Sequence, residues 1–135
     1  MWISLTRLDA PKCDTLLPAD YNLRNLLWST FLGGSGDDAI YSIDVDTQYN
    51  LLVCGGTNST NFPTTPGAYR TTYQGGTADG FAAKISYDGR TLMGSTLFGS
   101  AEYDQFYFVR SGKRNEVFLF GQTKAPGSTL VHNAI

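Results

Sequence analysis

The chain has 135 residues and 14.7 kDa, enough for one ordinary domain with a core of its own. Hydrophobic residues at 41% and charged residues at 16% place it among folded proteins, and a net charge of -2 leaves no cationic surface to draw nucleic acid. Its 15 glycines, 13% aromatic residues and abundant threonine suit short twisted strands joined by tight turns, so almost no helix is expected.

Residues 2–9 (WISLTRLD) alternate apolar and polar positions and predict a strand. Residues 10–25 form an irregular stretch, in which Pro11 and Pro18 argue against regular structure. Residues 26–32 (LLWSTFL) are a β-rich run closed by Gly33-Gly34-Ser35-Gly36, where glycine supplies backbone angles that side chains would forbid. Residues 39–45 alternate, with Tyr41, Ile43 and Val45 on one face and Ile40, Ser42 and Asp44 on the other. After the polar turn 46–50, residues 51–55 return as a run apolar on both faces, and the two runs form a hairpin. The connection 58–78 is rich in Thr, Pro and Gly; at 21 residues it is too long for a structureless loop, so Phe62, Tyr69 and Tyr73 are expected to pack it against the sheet. Residues 81–87 and 92–98 predict two strands around the hairpin turn Asp88-Gly89. Residues 105–110 and 116–120 form the next hairpin around residues 111–115, and residues 123–135 correspond to the start of another long connection.

Much of this order occurs twice. Setting Ser29-Thr30 over Ser95-Thr96 gives an offset of 66 residues that runs without a gap from 29–57 against 95–123. Seven of those 29 pairs are identical: Ser29/Ser95, Thr30/Thr96, Gly33/Gly99, Asp38/Asp104, Tyr41/Tyr107, Gly55/Gly121 and Thr57/Thr123. Chance at ordinary composition gives roughly two. Pairs such as Ile43/Val109 and Leu51/Val117 keep the burial pattern as well. Residues 2–9 in turn align with 81–88 at an offset of 79, which accounts for the extra length of 10–25. A four-stranded unit of this period predicts an all-β fold built of β-propeller blades, small antiparallel sheets that stack face to face. Residues 1–32 read as the second half of an incomplete blade with the 10–25 insertion, 33–98 as a complete blade, and 99–135 as the first half of the next. A closed ring takes about four to eight blades.

The phrases LLWSTFLGGSGDD, LLVCGGTNSTNFPTTPGAYRTTYQGG and DGFAAKISYDG, in that order over residues 26–98, resemble the SBBP family of bacterial β-propeller repeats. The second copy departs from the pattern: residues 98–103 replace the glycine-rich stretch and residues 124–128 replace the Phe-Pro phrase, while Cys54 stands where the family usually has Thr. The resemblance implies a module of a large secreted or cell-surface bacterial protein, of the kind found beside adhesive modules and linked in some cases to gliding motility. It implies no enzymatic activity, no catalytic residues and no cofactor.

The residues themselves offer little chemistry. His132 has no carboxylate or nucleophile near it in sequence and reads as a surface residue. Residues 33–38 lack the lysine and following helix of a phosphate loop and read as a turn. Asp44-x-Asp46-x-Gln48-x-Asn50 has a faint calcium-loop rhythm without its glycine and closing glutamate, so a hairpin is the better reading. Asp37, Asp38 and Asp104 recur at the same inter-strand corner, where a carboxylate can accept backbone N–H bonds and stabilise the turn, with a weak ion site as the alternative. Tyr41, Tyr107, Phe62, Tyr69 and Tyr73 are candidates for a glycan platform, with packing between blades the alternative for Tyr41 and Tyr107. Cys54 reads as a small buried thiol, and its pairing with Cys13 is left open by the sequence.

The expected function is therefore non-catalytic: a structural or binding module of a larger propeller, displaying loops to a protein or glycan partner, with neighbouring blades of the same or another chain as its other contacts. The alternatives are a propeller enzyme, a lyase or glycosidase, whose catalytic residues lie in other blades, and self-assembly of the chain into a ring. No stretch approaches the roughly 20 apolar residues of a membrane span. Residues 1–12 lack the charged start and apolar core of a signal peptide, so an extracellular or surface location is expected from the family resemblance alone.

Overall fold

The computed structural model describes residues 1–6 and 26–126. The insertion 10–25, Cys13, His132 and the end of the chain lie outside the described residues. Among the described residues eight strands follow in order: β1 (Trp2–Thr6), β2 (Leu26–Phe31), β3 (Asp38–Val45), β4 (Leu51–Thr57), β5 (Asp79–Ile85), β6 (Leu92–Phe98), β7 (Asp104–Ser111) and β8 (Val117–Thr123). They form three antiparallel sheets, β1–β2, β3–β4–β5–β6 and β7–β8, each joined in chain order. The fold is all-β, a β-propeller fragment of half a blade, one blade and another half.

The central blade is clasped on both faces. Successive residues of a strand point to opposite sides, and β4 is buried along its whole length. On one side Leu51 and Val53 join Phe81, Ala83, Ile85 and Leu97 in a core completed by Ile3 and Leu32 of the preceding half-blade. On the other, Leu52 and Cys54 pack on Val109 of the following half-blade, with Phe106 and Leu119 beside them. This explains the run apolar on both faces at 51–55: β4 has a neighbour on each side.

The expected face assignment of β3 is corrected at one residue. A β-bulge between Ile40 and Ser42 shifts the register, so that Ile40 pairs with Gly55 and Ser42 with Cys54. The extra residue is Tyr41, and the bulge puts Ile40 on the Ile43 and Val45 face, against the first core, rather than beside Ser42 and Asp44. Strands β7 and β8 repeat the irregularity between Phe106 and Phe108, 66 residues later.

The long connection packs as expected. The Phe62 ring lies 4.5 Å from that of Phe81, Tyr69 stacks on Phe98 at 5.1 Å, and Tyr73 packs on the first core. Its backbone also runs along β6: the Thr65 N–H donates to the Ser95 carbonyl (3.1 Å), the Leu97 N–H to the Arg70 carbonyl (3.0 Å), and Ser95 Oγ to the Pro63 carbonyl (2.7 Å). The outer edge of the blade is thereby covered, which removes a template for stray strand pairing.

Candidate functional site

The feature that recurs most strictly between the repeats is the start of the first strand of each, β3 and β7, the inner strands of their blades. There the bulge brings the Ala39 carbonyl so near β4 that a Cβ on Gly55 would lie 1.8 Å from its oxygen; Gly121 stands in the same relation to the Gln105 carbonyl, at 2.1 Å. Glycine at both positions is what permits the bulge, and the bulge is what sets Tyr41 and Tyr107 at the corner of each inner strand. The two rings meet edge to face across the blades, with centroids 6.0 Å apart. A hydrogen bond between the Tyr103 and Tyr107 hydroxyls, together with burial, pushes Tyr103 up to about 12, and the Tyr107 hydroxyl donates to Gln122 Oε1 at 3.0 Å. Beside this cluster opens a cleft of about 300 Å³, lined by Asp37, Tyr41, Thr57, Asn58, Tyr103 and Gln105 among others.

The aromatic candidates do not form one platform. Phe62 is buried, and Tyr69 and Tyr73 belong to the long connection, while Tyr41 and Tyr107 sit at the inter-blade corner. Tyr103 was not singled out from sequence. Its only signal there is an aromatic residue just before the inner-strand aspartate.

The glycine-rich turn 33–38 is held by the chain's own side chains. Gly34 N–H donates to Asp38 Oδ2 (2.8 Å), Ser35 N–H to Asn61 Oδ1 (2.8 Å), Gly36 N–H to Ser59 Oγ (2.8 Å) and Asp37 N–H to Asn58 Oδ1 (2.7 Å). The four donors that a phosphate cradle would offer are used internally, which fits the reading as a turn. Asp38 accepts from Thr57 Oγ1 (2.5 Å) as well, and Asp104 repeats the corner by accepting from the Ser100 N–H (2.6 Å).

The calcium-like rhythm of 44–50 divides between two jobs. Asp44 Oδ2 accepts the Ser111 N–H of β7 at 2.8 Å, and this bond leads the causes that hold its carboxyl below the ordinary range. Asp46 is buried in the turn, taking the N–H groups of Gln48 and Asn50 at 2.8 Å each and the Lys84 ammonium at 2.6 Å. Burial pushes its carboxyl up, but Lys84 and the Asn50 and Gln48 bonds outweigh it and hold the group well below the usual carboxylate range. Ser42 adds a polar link across the blades, its Oγ accepting the Val109 N–H at 3.2 Å.

Cys54 is a free, buried thiol, and burial pushes it up to about 11. Burial, then the neighbouring Asp104, pushes the Asp79 carboxyl up to about 6 against the Gln74 N–H. Among the described residues no group of three or more His, Cys, Asp or Glu side chains is placed to hold a metal ion. No helix among them is long and apolar enough to cross a membrane.

No curated protein matches the chain. The family model of SBBP, described as a beta-propeller repeat, matches residues 27–63, which run from β2 through the β3–β4 hairpin to Phe62-Pro63. That stretch, bulge and glycine-rich turn included, is similar to an SBBP repeat, in agreement with the blades described above.

Proposed function

We infer that the chain is a non-catalytic structural and binding module of a larger secreted or cell-surface bacterial β-propeller protein, and that the ligand it displays a site for is carbohydrate. The observation behind this reading is the cleft beside the start of β3 and β7, lined by the aromatic side chains Tyr41 and Tyr103 together with the polar Asp37, Asn58 and Gln105. Sugar rings present C–H faces to aromatic rings and hydroxyls to carboxylates and amides, and the cleft offers both. A glycan array probed with the 135-residue chain, followed by titration of the best ligand, tests it. Tyr41→Ala and Tyr103→Ala are each expected to weaken binding about tenfold, a loss of about 1.4 kcal/mol. An array without binders, or binding that both variants leave unchanged, refutes the carbohydrate reading, and turnover of a glycan would favour the propeller-enzyme alternative. Fractionation of the source cells tests the surface location.

Self-assembly is a second reading, favoured by the complementary two-stranded sheets β1–β2 and β7–β8 and by Phe108, Phe118 and Phe120, which are 57%, 61% and 65% exposed on one face of the latter. Such a face suits another blade. A solution mass equal to one chain at high concentration would end this reading.

A further inference from the structure

Where the central blade meets the following half-blade, two buried aspartates each keep an oxygen that no donor answers. Asp79 opens β5 with no exposed surface, and Asp104 opens β7 at 3% exposure. The strand starts are tied together: the Asp104 N–H donates to the Ala78 carbonyl at 2.8 Å, within a parallel bridge between Ala78 and Tyr103. Both carboxylates lie against the Gly99–Ser100 peptide. The Asp79 carboxylate fills the space over Gly99 so closely that a Cβ there would lie 2.1 Å from its Cγ and Oδ1, while Asp104 Oδ2 accepts the Ser100 N–H at 2.6 Å and the Ser100 hydroxyl at 2.7 Å. Asp79 Oδ2 accepts the Gln74 N–H at 2.7 Å. The Oδ1 atoms of Asp79 and Asp104 are buried without a partner.

The first repeat shows what a self-sufficient corner looks like. Asp38 Oδ1 takes the Thr57 hydroxyl, and its Oδ2 takes both the Gly34 N–H and the Ser59 hydroxyl. The counterparts of Thr57 and Ser59 at the repeat offset are Thr123 and Ala125: Ala125 has no hydroxyl to give, and the Thr123 hydroxyl, which accepts the Ala125 N–H at 2.9 Å, leaves Asp104 Oδ1 without a donor. The Arg70 guanidinium, the cation facing Asp79, donates instead to Gln74 Oε1 at 2.5 Å. Two carboxylates out of water, both packed on the Gly99–Ser100 peptide and each with one oxygen that lacks a donor, are stabilised by positive charge brought beside them.

We propose that Asp79 and Asp104 hold a hard divalent cation, Mg²⁺ or Ca²⁺, that clamps the central blade to the half-blade after it. The donors are oxygen only, which selects hard ions over zinc or copper. Two carboxylates with water completing the shell is a coordination that Mg²⁺ commonly uses.

The test uses the 135-residue chain freed of metal by a chelator, with Mg²⁺ or Ca²⁺ added at constant ionic strength and the thermal midpoint and heat of binding recorded. One ion per chain and a saturable rise of several degrees are expected, lost in Asp79→Asn and in Asp104→Asn and kept in Asp88→Asn, which alters a surface turn elsewhere. Should either corner variant fail to fold, Tb³⁺ luminescence excited through the nearby tyrosines Tyr73 and Tyr103 reads the site in the unaltered chain: a one-to-one signal displaced by Ca²⁺ supports the proposal. Absence of a saturable effect with both ions, or an effect that NaCl reproduces or that both corner variants retain, overturns it.

Discussion

Gly55→Ala is the sharpest perturbation of the repeated bulge. The added Cβ would sit 1.8 Å from the Ala39 oxygen, whereas real Cβ atoms keep at least 3.0 Å from such neighbours. Strands β3 and β4 must then part by roughly 1.2 Å, enough to take a ladder hydrogen bond from about 2.9 Å to beyond bonding distance. Losing two such bonds at about 1 kcal/mol each, together with about 1 kcal/mol of strain in the packing of Ile40, comes to about 3 kcal/mol. For a chain of this size that lowers the thermal midpoint by about 10 °C. Gly94→Ala is the matched control, since Gly94 also lies in a strand and nothing stands within 4 Å of its Cβ position. It should change stability by no more than about 0.5 kcal/mol, or raise it slightly by stiffening the unfolded chain. Urea unfolding of both variants, followed by circular dichroism, gives the comparison. If Gly55→Ala falls within about 0.5 kcal/mol of Gly94→Ala, the glycine is not what the bulge requires and the argument fails.

Acid stability and thiol reactivity supply two further tests. The Asp46 carboxyl is held below its ordinary value of 3.8, so the folded chain binds its proton less readily than the unfolded one. Its contribution is therefore fully present above about pH 4 and is lost as the pH falls below that through the folded-state value; Asp46→Asn should be less stable than the parent at pH 7 and approach it in acid. A stability gap between the two that does not shrink below pH 4 would contradict the Lys84 pairing. In a Cys13→Ser background, Cys54 should react with a thiol reagent only at the rate of unfolding, because it is buried and its thiol is pushed up to about 11. Rapid labelling of the folded chain would refute its placement between the blades.

Strand positions were legible because their signals are local. Alternation at 39–45, the two-faced run at 51–55 and the Asp88-Gly89 turn each arise within a few residues, and β3 to β6 appear where these patterns put them. The structure extends β4 to Thr57 and β8 to Thr123, since ladder bonding continues past the apolar stretch, and it moves β5 from the expected 81–87 to Asp79–Ile85, with Tyr87 in the turn. The bulge was not legible. Period-two alternation assumes no extra residue, so Ile40 was read onto the wrong face, although the invariant pairs Tyr41/Tyr107 and Gly55/Gly121 carried its trace. The inter-blade cleft was half legible: Tyr41 and Tyr107 stood out by repetition, whereas Tyr103 joined them only through its hydrogen bond to Tyr107, which no repeated letter announces.

By itself the sequence determined the repeat, its period, the all-β class and the division into half a blade, one blade and another half, because each follows from patterns written along one chain. Only the tertiary structure decided which polar groups are left without partners. Asp38 and Asp104 are the same letter at the same place in the repeat, yet one has both oxygens answered, by Thr57 and Ser59, and the other keeps Oδ1 buried without a partner at the blade junction. Burial and hydrogen bonding are set by what arrives from elsewhere in the chain, and no window of sequence contains both sides of such a contact.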